Sequence, residues 1–422
     1  MSLLNNSDRS RNLVFYFQVH QPRRLRTVRL FDIGTDSGLF DDQQNQQILE
    51  RVAASCYLPT NQLLLKLIKK YPGIKIAFSI SGVTLDQFEA FAPEVLESFK
   101  DLAETGSVEF LGETYYHSLA TLIPGHEFEI QTLKHTELIE KHFGKRPTVF
   151  RNTELIYSDD VGRRAALLGF KGVFTDGVAR VLSNDKSPNQ VYQHPTEEGL
   201  SILLRNFILS DDIAFRFSHY SGLTADQYIT WLKDIPTHER VVNVAMDYET
   251  FGEHHKKESG IFQFLENMLS GIASDSTFKM LTPTEAVDTI KPQAVLDCPH
   301  FVSWADNERD LSAWVGNDLQ RDAFETLVKL DSSVKALNDA ETLKQWRLLQ
   351  TSDHFYYMST KKGTDGTIHN YFSPYPSPYE AFINYMNALT DFSVKLDLRK
   401  SLLKPVKARK KKAKSLLEGL TA

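Results

Sequence analysis

The sequence predicts an α/β fold: a mainly parallel sheet of seven strands that closes into a barrel, followed by a helical region. Over the first two-thirds of the 422 residues, short runs rich in β-branched and aromatic residues alternate with longer stretches of helical period. This alternation is typical of repeated βα units, which build parallel sheets. After Pro299 the strand-like runs become rare, so the rest of the chain is predicted to be helical.

Seven short apolar runs are the predicted strands, and their number favours a barrel. They cover residues 13–19, 74–80, 108–111, 148–152, 172–175, 202–205 and 241–247. The stretches between them place apolar residues three and four positions apart, as helices that cover a sheet do. These helices are expected at residues 48–70, 85–105, 127–143, 160–168, 225–235 and 261–272.

The later part of the chain changes character. Leu281-Thr282-Pro283-Thr284-Glu285 has the pattern of a capped helix start. Further helices are expected at residues 320–337, 341–350 and 379–396, with a loop at 363–378 that is rich in Gly, Pro, Ser and Tyr. We therefore expect a barrel domain at residues 1–290, a helical domain at 291–403 and a basic, flexible tail at 404–422.

Composition excludes disordered and fibrous proteins. Apolar residues make up 41% and charged residues 24% of the chain, with a formal net charge of -6, which is ordinary for a soluble globular protein. A nucleic-acid partner is not expected, because such proteins usually carry a basic stripe over the folded domain. The basic tail could contact a membrane surface, nucleic acid or an acidic partner, but a solvated terminus is the simpler interpretation.

The cysteines and the N-terminus favour a cytoplasmic protein. Cys56 and Cys298 lie far apart and lack metal-type spacing, so neither a disulfide framework nor a zinc site is indicated. Residues 1–12 are polar and lack the apolar region of a secretory signal. We expect no membrane span, because no apolar run approaches the roughly 18 residues that one needs. The oligomeric state is not indicated.

Polar residues at the carboxyl ends of the predicted strands are the candidates for chemistry, since barrel enzymes build their sites there. The first strand ends at His20-Gln21-Pro22. The third leads into Gly112-Glu113-Thr114-Tyr115-Tyr116-His117, which combines a carboxylate, aromatic rings and an imidazole. Such a mixture suits sugar binding, because aromatic faces stack on pyranose rings while the polar groups bind hydroxyls. An exposed polar loop is the competing interpretation.

The fourth strand delivers the carboxylate of Glu154 in the run Arg151-Asn152-Thr153-Glu154. A carboxylate that emerges from an apolar strand needs compensation, because burying an unpaired charge is costly and raises its pKa. Arg151 and Asn152 are near enough in sequence to supply it. A structural Arg–Glu pair explains this segment equally well.

The seventh strand ends in two carboxylates, in Asp247-Tyr248-Glu249. Strand alternation would put Asp247 and Glu249 on the same face, where two carboxylates repel unless one holds a proton. Together with Glu154 they supply the pair of acids that glycoside hydrolysis requires. Peptide and ester hydrolysis fit less well, because the sequence has no Gly-x-Ser-x-Gly elbow, phosphate loop or His-Glu-x-x-His helix.

In order and spacing, four motifs resemble the signature regions of glycoside hydrolase family 57. They are His20-Gln21-Pro22, Gly112-Glu113, Asn152-Thr153-Glu154 and Asp247-Tyr248-Glu249-Thr250-Phe251-Gly252. The segment from Thr351 to Tyr357 resembles a fifth. The resemblance, strongest to the shorter α-amylase-type members, implies a seven-stranded barrel with a helical domain that contributes to the substrate cleft, no metal or other cofactor, and retaining cleavage of α-glucosidic bonds in a glucan or maltooligosaccharide.

The resemblance also implies roles for individual residues. Glu154 matches the family's nucleophile and Asp247 its general acid/base, while Trp304 and Trp314 resemble its Trp-bearing segments. The predicted substrate-binding residues are His20, Gln21, Glu113, His117, Arg151, Glu249, Trp304, Trp314, Asp353, His354 and Tyr356. One departure is that many members have Trp after the His of the fourth region, where this chain has Glu253-His254-His255.

Three alternatives stay open at this point. A 4-α-glucanotransferase or a branching enzyme would share every catalytic residue named above. A metal-dependent polysaccharide deacetylase has a similar barrel but usually needs a His-x-x-x-His pair, and none of the 13 His residues lies four positions from another. A non-catalytic glucan-binding protein would keep the aromatic residues but have no use for Glu154 and Asp247.

Overall fold

The computed structural model describes residues 10–35, 38–182, 186–218 and 222–403, which form two compact units. The first runs to Arg23 and resumes at Asp42–Ala313, and the second combines Arg24–Asp41 with the chain from Trp314 onward. The unit boundary therefore lies beyond the expected residue 290. The reason is that the segment after residue 290 still pairs with the first unit, as in the antiparallel bridge between Tyr157 and Val302. The predicted basic tail at 404–422 lies outside the described residues.

The first unit is built on one sheet of ten strands. The strands are β1 (Arg11–Val19), β2 (Ile76–Ile80), β3 (Val108–Phe110), β4 (Val149–Arg151), β5 (Gly172–Asp176), β6 (Val191–Gln193), β7 (Ser201–Arg205), β8 (Val241–Asp247), β9 (Phe278–Met280) and β10 (Ala294–Val295). All seven predicted strands are present. The sequence missed β6, β9 and β10, which have two or three residues each and so carry no readable alternation.

Seven of the strands close into a ring, which confirms the predicted barrel. The parallel neighbours are β8–β1, β1–β2, β2–β3, β4–β5, β5–β7 and β7–β8. The remaining gap, from β3 to β4, is closed by a parallel bridge between Gly112 and Phe150. There the Gly112 amide donates to Val149 O at 2.9 Å, and its carbonyl accepts from the Arg151 amide at 2.8 Å. The three short strands attach outside the ring, β6 antiparallel to β7 and β9 parallel to β1.

The barrel interior changes from apolar to polar along every strand. One buried apolar cluster contains one residue from each of the seven strands of the ring, or from the position directly after it in the case of β3. These residues are Tyr16, Ala77, Leu111, Val149, Phe174, Leu203 and Ala245. Because side chains of a strand alternate between its faces, the residues two positions further on share the same face. They form what we call the polar ring: Gln18, Ser79, Glu113, Arg151, Asp176, Arg205 and Asp247. The carboxyl end of the barrel is therefore lined by polar side chains.

Helices cover the outside of the barrel, and the opposite faces of the strands pack against them in a second large apolar cluster. The helices of this unit are α1 (Asp42–Val52), α2 (Leu58–Lys70), α3 (Gly82–Phe91), α4 (Pro93–Glu104), α5 (Glu127–Phe143), α6 (Asp159–Leu167), α7 (Phe207–Ala214), α8 (Ala225–Asp234), α9 (Ile261–Ser274) and α10 (Pro283–Thr289). The capped start that the sequence predicted is α10, where Thr282 and Glu285 form a reciprocal capping box.

Two predicted helices are each two helices in the structure. The one expected at 85–105 divides at Ala92, because Pro93 has no amide to continue the preceding helix and instead starts the next one. The one expected at 48–70 is divided into α1 and α2 by a π-helical segment, Ala53–Tyr57. The extra residue of a π-helical turn re-aims the side chains that follow it, and such turns are frequent at functional sites.

The second unit is helical, as expected, over its described residues. The chain enters it within α11 (Ser312–Val315) and continues through α12 (Asp318–Lys329), α13 (Asp331–Leu337), α14 (Ala340–Leu348), α15 (Ser352–Tyr356), α16 (Gly363–Phe372) and α17 (Pro378–Leu403). The segment 24–41 packs here, with the Val28 amide donating to Asn384 Oδ1 at 2.7 Å. None of the described helices has the length and apolarity to span a bilayer.

The predicted loop at 363–378 is wrong over most of its length, since α16 occupies Gly363–Phe372. Gly366 is required by space, because a Cβ there would lie 2.4 Å from the carbonyl oxygen of Lys361. The helix is held by tertiary contacts, because His369 stacks on Tyr356 with ring centroids 3.7 Å apart. Composition alone does not report such contacts.

Gly252 provides a test of how the segment after β8 is seated on the π-helical segment. Its φ is +110°, and a Cβ there would lie 2.0 Å from the carbonyl oxygen of Ser55. We expect Gly252→Ala to destabilise the protein by about 1–3 kcal/mol more than Gly260→Ala, because the added methyl overpacks fixed backbone. Gly260 is the matched control, since its φ is also positive, +83°, but a Cβ there meets nothing within 4 Å. Equal losses in denaturant unfolding would contradict the close contact.

Candidate active site

Glu154 lies on a strained turn directly after β4. The turn Thr153–Leu155 places Glu154 at φ +57° and Leu155 at φ +51°, both in the left-handed region that non-glycine residues seldom adopt. Asn152 holds the turn by donating to Ile156 O at 2.8 Å and to Thr121 Oγ1 at 2.9 Å. Strain of this kind persists only where surrounding contacts over-determine the backbone, and it concentrates at functional sites.

Two donors reach the Glu154 carboxylate. The indole Nε1 of Trp304 donates to Glu154 Oε2 at 2.8 Å, and the Nε2 atom of His117 lies 3.5 Å from Oε1. The carboxylate is still 17% exposed, so it is oriented but open to a reacting group. The sequence suggested Arg151 and Asn152 as its compensation, but Asn152 bonds the turn and Arg151 lies beside Glu113 with its Nη1 atom 3.8 Å from Oε2.

His117 links Glu154 to a deeper carboxylate. Its Nδ1 atom lies 3.1 Å from Oε2 of Glu113, which is fully buried. His20 stacks on the His117 ring at 3.9 Å between centroids and is itself bonded to Ser81 Oγ at 2.7 Å. Gln18 adds a weak donor to Glu113 at 3.4 Å. The predicted residues His20, Glu113, His117 and Glu154 therefore form one contiguous group.

Charge in this group is set by its neighbours. Burial lowers the pKa of His117, but hydrogen bonds to Glu113 and Glu154 outweigh it and raise that pKa to about 9. Burial raises the pKa of Glu113, but the hydrogen bond from His117 outweighs it, so the Glu113 pKa is lowered. Near neutral pH, His117 is therefore a cation between two carboxylates.

Asp247 lies at the end of β8 and is partly exposed. Withdrawal from solvent, and then the negative charge of Glu154, raise the pKa of Asp247 to about 6. The two carboxylates are thus close enough to interact electrostatically, although they belong to different strands. A raised pKa on one of two neighbouring acids is how a general acid keeps its proton beside an ionised nucleophile.

Glu249 has a different environment from Asp247. The strand has ended, and Glu249 sits in the following turn, Tyr248–Thr250, with little exposure. Burial, and then the charge of Asp247, raise the pKa of Glu249 to about 8. Its Oε1 atom accepts hydrogen bonds from the Tyr57 hydroxyl and, at 3.5 Å, from Gln21 Nε2. The raised pKa favours the neutral form of Glu249 near neutral pH.

Several residues of the site escaped the sequence prediction. Tyr57 is delivered to Glu249 by the π-helical segment, and nothing in its local sequence marks that turn. Asp176 and Arg205 belong to the polar ring and pair across neighbouring strands at 3.2 Å. Their signal was available, because each lies two residues beyond an inward apolar residue of its strand. Arg309 joins them from a distant loop, which local sequence does not indicate.

Four predicted substrate-binding residues belong to the second unit. Trp314 is fully buried and His354 nearly so, whereas Asp353 and Tyr356 are partly exposed. Their role as substrate ligands stays a prediction. Within the described ranges, no three His, Cys, Asp or Glu side chains are arranged so that they could hold a metal ion.

The chain matches the Glycosyl hydrolase family 57 over residues 14–299. It belongs to this family. That match confirms the family predicted from the motifs, and it spans Glu154, Asp247 and the residues around them. The predicted class of enzyme, a glycoside hydrolase or transglycosidase, follows from it.

Individual relatives agree with this membership. A Methanocaldococcus jannaschii protein named "Putative alpha-amylase" is 42% identical over 400 residues, which is 90% of this chain and 84% of the relative. The crystal structure of 4-α-glucanotransferase from Thermococcus litoralis is similar with a TM-score of 0.67 at 15% identity, over 90% of this chain and 59% of that one. The GH57-type branching enzyme from Pyrococcus horikoshii is similar with a TM-score of 0.65 at 15% identity, over 86% and 87%. Both likenesses confirm the fold.

The cationic His117 predicts a pH dependence of stability. Because its pKa is raised from 6.5 to about 9 in the folded protein, its stabilisation is complete below pH 6.5 and is lost as the pH rises toward 9. We expect the free energy of unfolding of the wild type to exceed that of His117→Gln most at pH 6 and progressively less up to pH 9. Urea unfolding of both proteins across this range measures the difference. A difference that grows with pH would show that His117 is neutral.

Proposed function

We propose that this protein cleaves α-1,4-glucosidic bonds of starch- or glycogen-type glucans with retention of configuration, as an α-amylase. One observation carries the proposal: an oriented carboxylate, Glu154, lies near enough to a second acid, Asp247, for its charge to help raise the pKa of Asp247. An ionised nucleophile beside a protonated acid is the arrangement that retaining glycosidases need. The 42% identical relative named as an α-amylase supports the substrate class.

In the first step, Glu154 attacks the anomeric carbon of the bound glucosyl unit while Asp247 gives its proton to the departing glycosidic oxygen. A covalent glycosyl-enzyme forms and the chain beyond the cleaved bond leaves with a free 4-hydroxyl group. The Trp304 and His117 donors fix the attacking oxygens, and they favour the ionised form of Glu154. Asp247 is held at the end of β8, and Glu154 is held on the restrained turn that follows β4.

In the second step, Asp247 acts as the base. It removes a proton from water, whose oxygen attacks the anomeric carbon and releases Glu154 with the product in the α configuration. A glucan 4-hydroxyl in place of water would give transfer instead of hydrolysis, with the same residues. Glu249, held neutral by burial and hydrogen-bonded by Tyr57, is in our proposal a hydrogen-bond donor to a sugar hydroxyl.

Product analysis on maltoheptaose tests the proposal. We expect new reducing ends, formed first in the α configuration by proton NMR, together with shorter maltooligosaccharides. Glu154→Gln is expected to lower the rate about a thousandfold or more, because it removes the nucleophile but preserves its volume. Redistribution of chain lengths without new reducing ends would instead make the protein a glucanotransferase. An active Glu154→Gln would refute the assignment of the nucleophile.

The acid is tested by pH and by leaving group. Because Asp247 must carry its proton and its pKa is about 6, we expect kcat/KM on glucans to fall as the pH rises past about 6. Asp247→Asn should lose about a hundredfold or more on glucans and much less on a 4-nitrophenyl maltooligosaccharide, whose leaving group needs no proton.

Glu249→Gln is the matched control for this experiment. It keeps a hydrogen-bond donor where the neutral acid has one, so we expect less than about a tenfold loss on either substrate. If Glu249→Gln, and not Asp247→Asn, shows the dependence on leaving group, Glu249 is the acid.

A further inference from the structure

The loop that carries Trp304 is tied to the turn that carries Glu154. Tyr157 and Val302 exchange backbone hydrogen bonds of 2.9 and 2.8 Å, and the Trp304 amide donates to the Glu154 carbonyl at 3.3 Å. The indole then donates to the Glu154 carboxylate. The position of the nucleophile therefore depends on where this loop holds the indole ring.

A cluster of four charged side chains anchors this loop. Arg309 donates from Nη1 to Asp176 Oδ2 at 3.1 Å and from Nη2 to Asp211 Oδ2 at 3.2 Å. Arg205 pairs with the other oxygen of each carboxylate, with the Asp176 contact at 3.2 Å. Asp176 is fully buried and Arg205 nearly so, so these charges are compensated by one another. Two cations and two anions thus join β5, β7, α7 and the loop.

Arg309 also binds the residue that it positions. Its Nη1 atom donates to the carbonyl oxygen of Trp304 at 2.5 Å, and its own carbonyl accepts from the Ser303 amide at 3.0 Å. Its backbone is in the left-handed region at φ +51°. An arginine held in such a conformation costs free energy that its side-chain contacts must offset. The guanidinium of Arg205 lies 5.6 Å from the centroid of the Trp304 ring and so limits the ring from one side.

We infer that Arg309 is a positioning residue for the nucleophile: clamped by Asp176 and Asp211, it fixes Trp304 so that the indole N–H orients Glu154 for attack. The inference rests on the proposed function, since it assigns a role within the same reaction. Arg309 touches neither the reacting atoms nor the Glu154 carboxylate by any contact described above, and it acts through Trp304. The inference also gives a role to the two buried aspartates that bind Arg309, Asp176 and Asp211.

Arg309→Met tests this inference in the full-length enzyme. We expect kcat/KM on maltoheptaose to fall about tenfold to a hundredfold, because a small displacement of a reacting group has effects of this size. The acid limb of the pH profile should move to higher pH, because a displaced indole no longer favours the ionised form of Glu154. Trp304→Phe, which removes the same hydrogen bond directly, should give the same shift. In the Trp304→Phe background, Arg309→Met should cause little further loss.

Arg180→Met is the matched control. Arg180 binds the same loop, donating to Glu308 O at 2.5 Å, to Phe301 O at 3.1 Å and to the backbone carbonyl of Arg309. It is exposed and lies outside the four-charge cluster, so its loss loosens the loop backbone without removing the Arg309 guanidinium from its partners. A general loosening of the loop would make both arginine variants alike in melting temperature and in rate. We expect only Arg309→Met to move the acid limb.

The outcomes separate this inference from the proposed function. If wild-type protein releases nothing from glucans, the proposed function fails before the clamp is tested, and Glu154→Gln serves as the blank. If wild type is active and Arg309→Met leaves the acid limb in place, or its loss multiplies with that of Trp304→Phe, the clamp is refuted. Should Arg309→Met not fold, Arg309→Lys retains a cation but not the forked contacts, and the same shift in smaller degree is expected.

Discussion

Burial of charge at the carboxyl end of the barrel is the constraint on which the rest of the structure depends. Going round the barrel from β3, the polar ring alternates in sign through Glu113, Arg151, Asp176, Arg205 and Asp247. Buried charges are costly unless they are paired, and the alternation places opposite charges on neighbouring strands. Asp176 pairs with Arg205 at 3.2 Å, and Arg151 lies 3.8 Å from Glu113. Asp247 closes the series, where withdrawal from solvent and a nearby acid together raise its pKa to about 6. The alternating series thus ends in Asp247, the proposed general acid.

Rigid strands and strained turns divide the work of placing the reacting groups. The strands fix the positions of the polar ring. Glu154 and His117 lie in the segments after strands and have positive φ. Asp306 and Arg309, in the loop that carries Trp304, also have positive φ. Left-handed backbone at non-glycine residues raises the free energy of the native state, so each position must be held by contacts elsewhere. Here the holding contacts are the Trp304 hydrogen bonds and the four-charge cluster. Glu154 and Arg309 therefore have both a strained backbone and side-chain contacts that hold it in place.

What the sequence could predict depended on whether the signal is local in the chain or comes from contacts between distant residues. Strands and most helices could be predicted, because alternation and helical period are local in the sequence. Glu154 and Asp247 could be proposed as the catalytic pair because motifs and strand ends are local too, and their roles stay predictions. What was missed depends on distant partners. Tyr57 reaches Glu249 only because a π-helical turn rotates it, and Arg309 meets Asp176 only in the folded chain. The helix at Gly363–Phe372 was mistaken for a loop because Gly366, which close packing requires, reads in the sequence as a loop residue.

The ring of strands has two narrow joints with a consequence for the site. Within the described barrel, β3 meets β4 through one residue pair, Gly112 with Phe150, and β7 meets β8 through one, Arg205 with Asn243. These joints divide the barrel into a half of β8, β1, β2 and β3 and a half of β4, β5 and β7. Glu154 follows β4 in one half, and Asp247 ends β8 in the other. The spacing between Glu154 and Asp247, the proposed nucleophile and acid, therefore depends on the geometry of these two joints and not on either half alone.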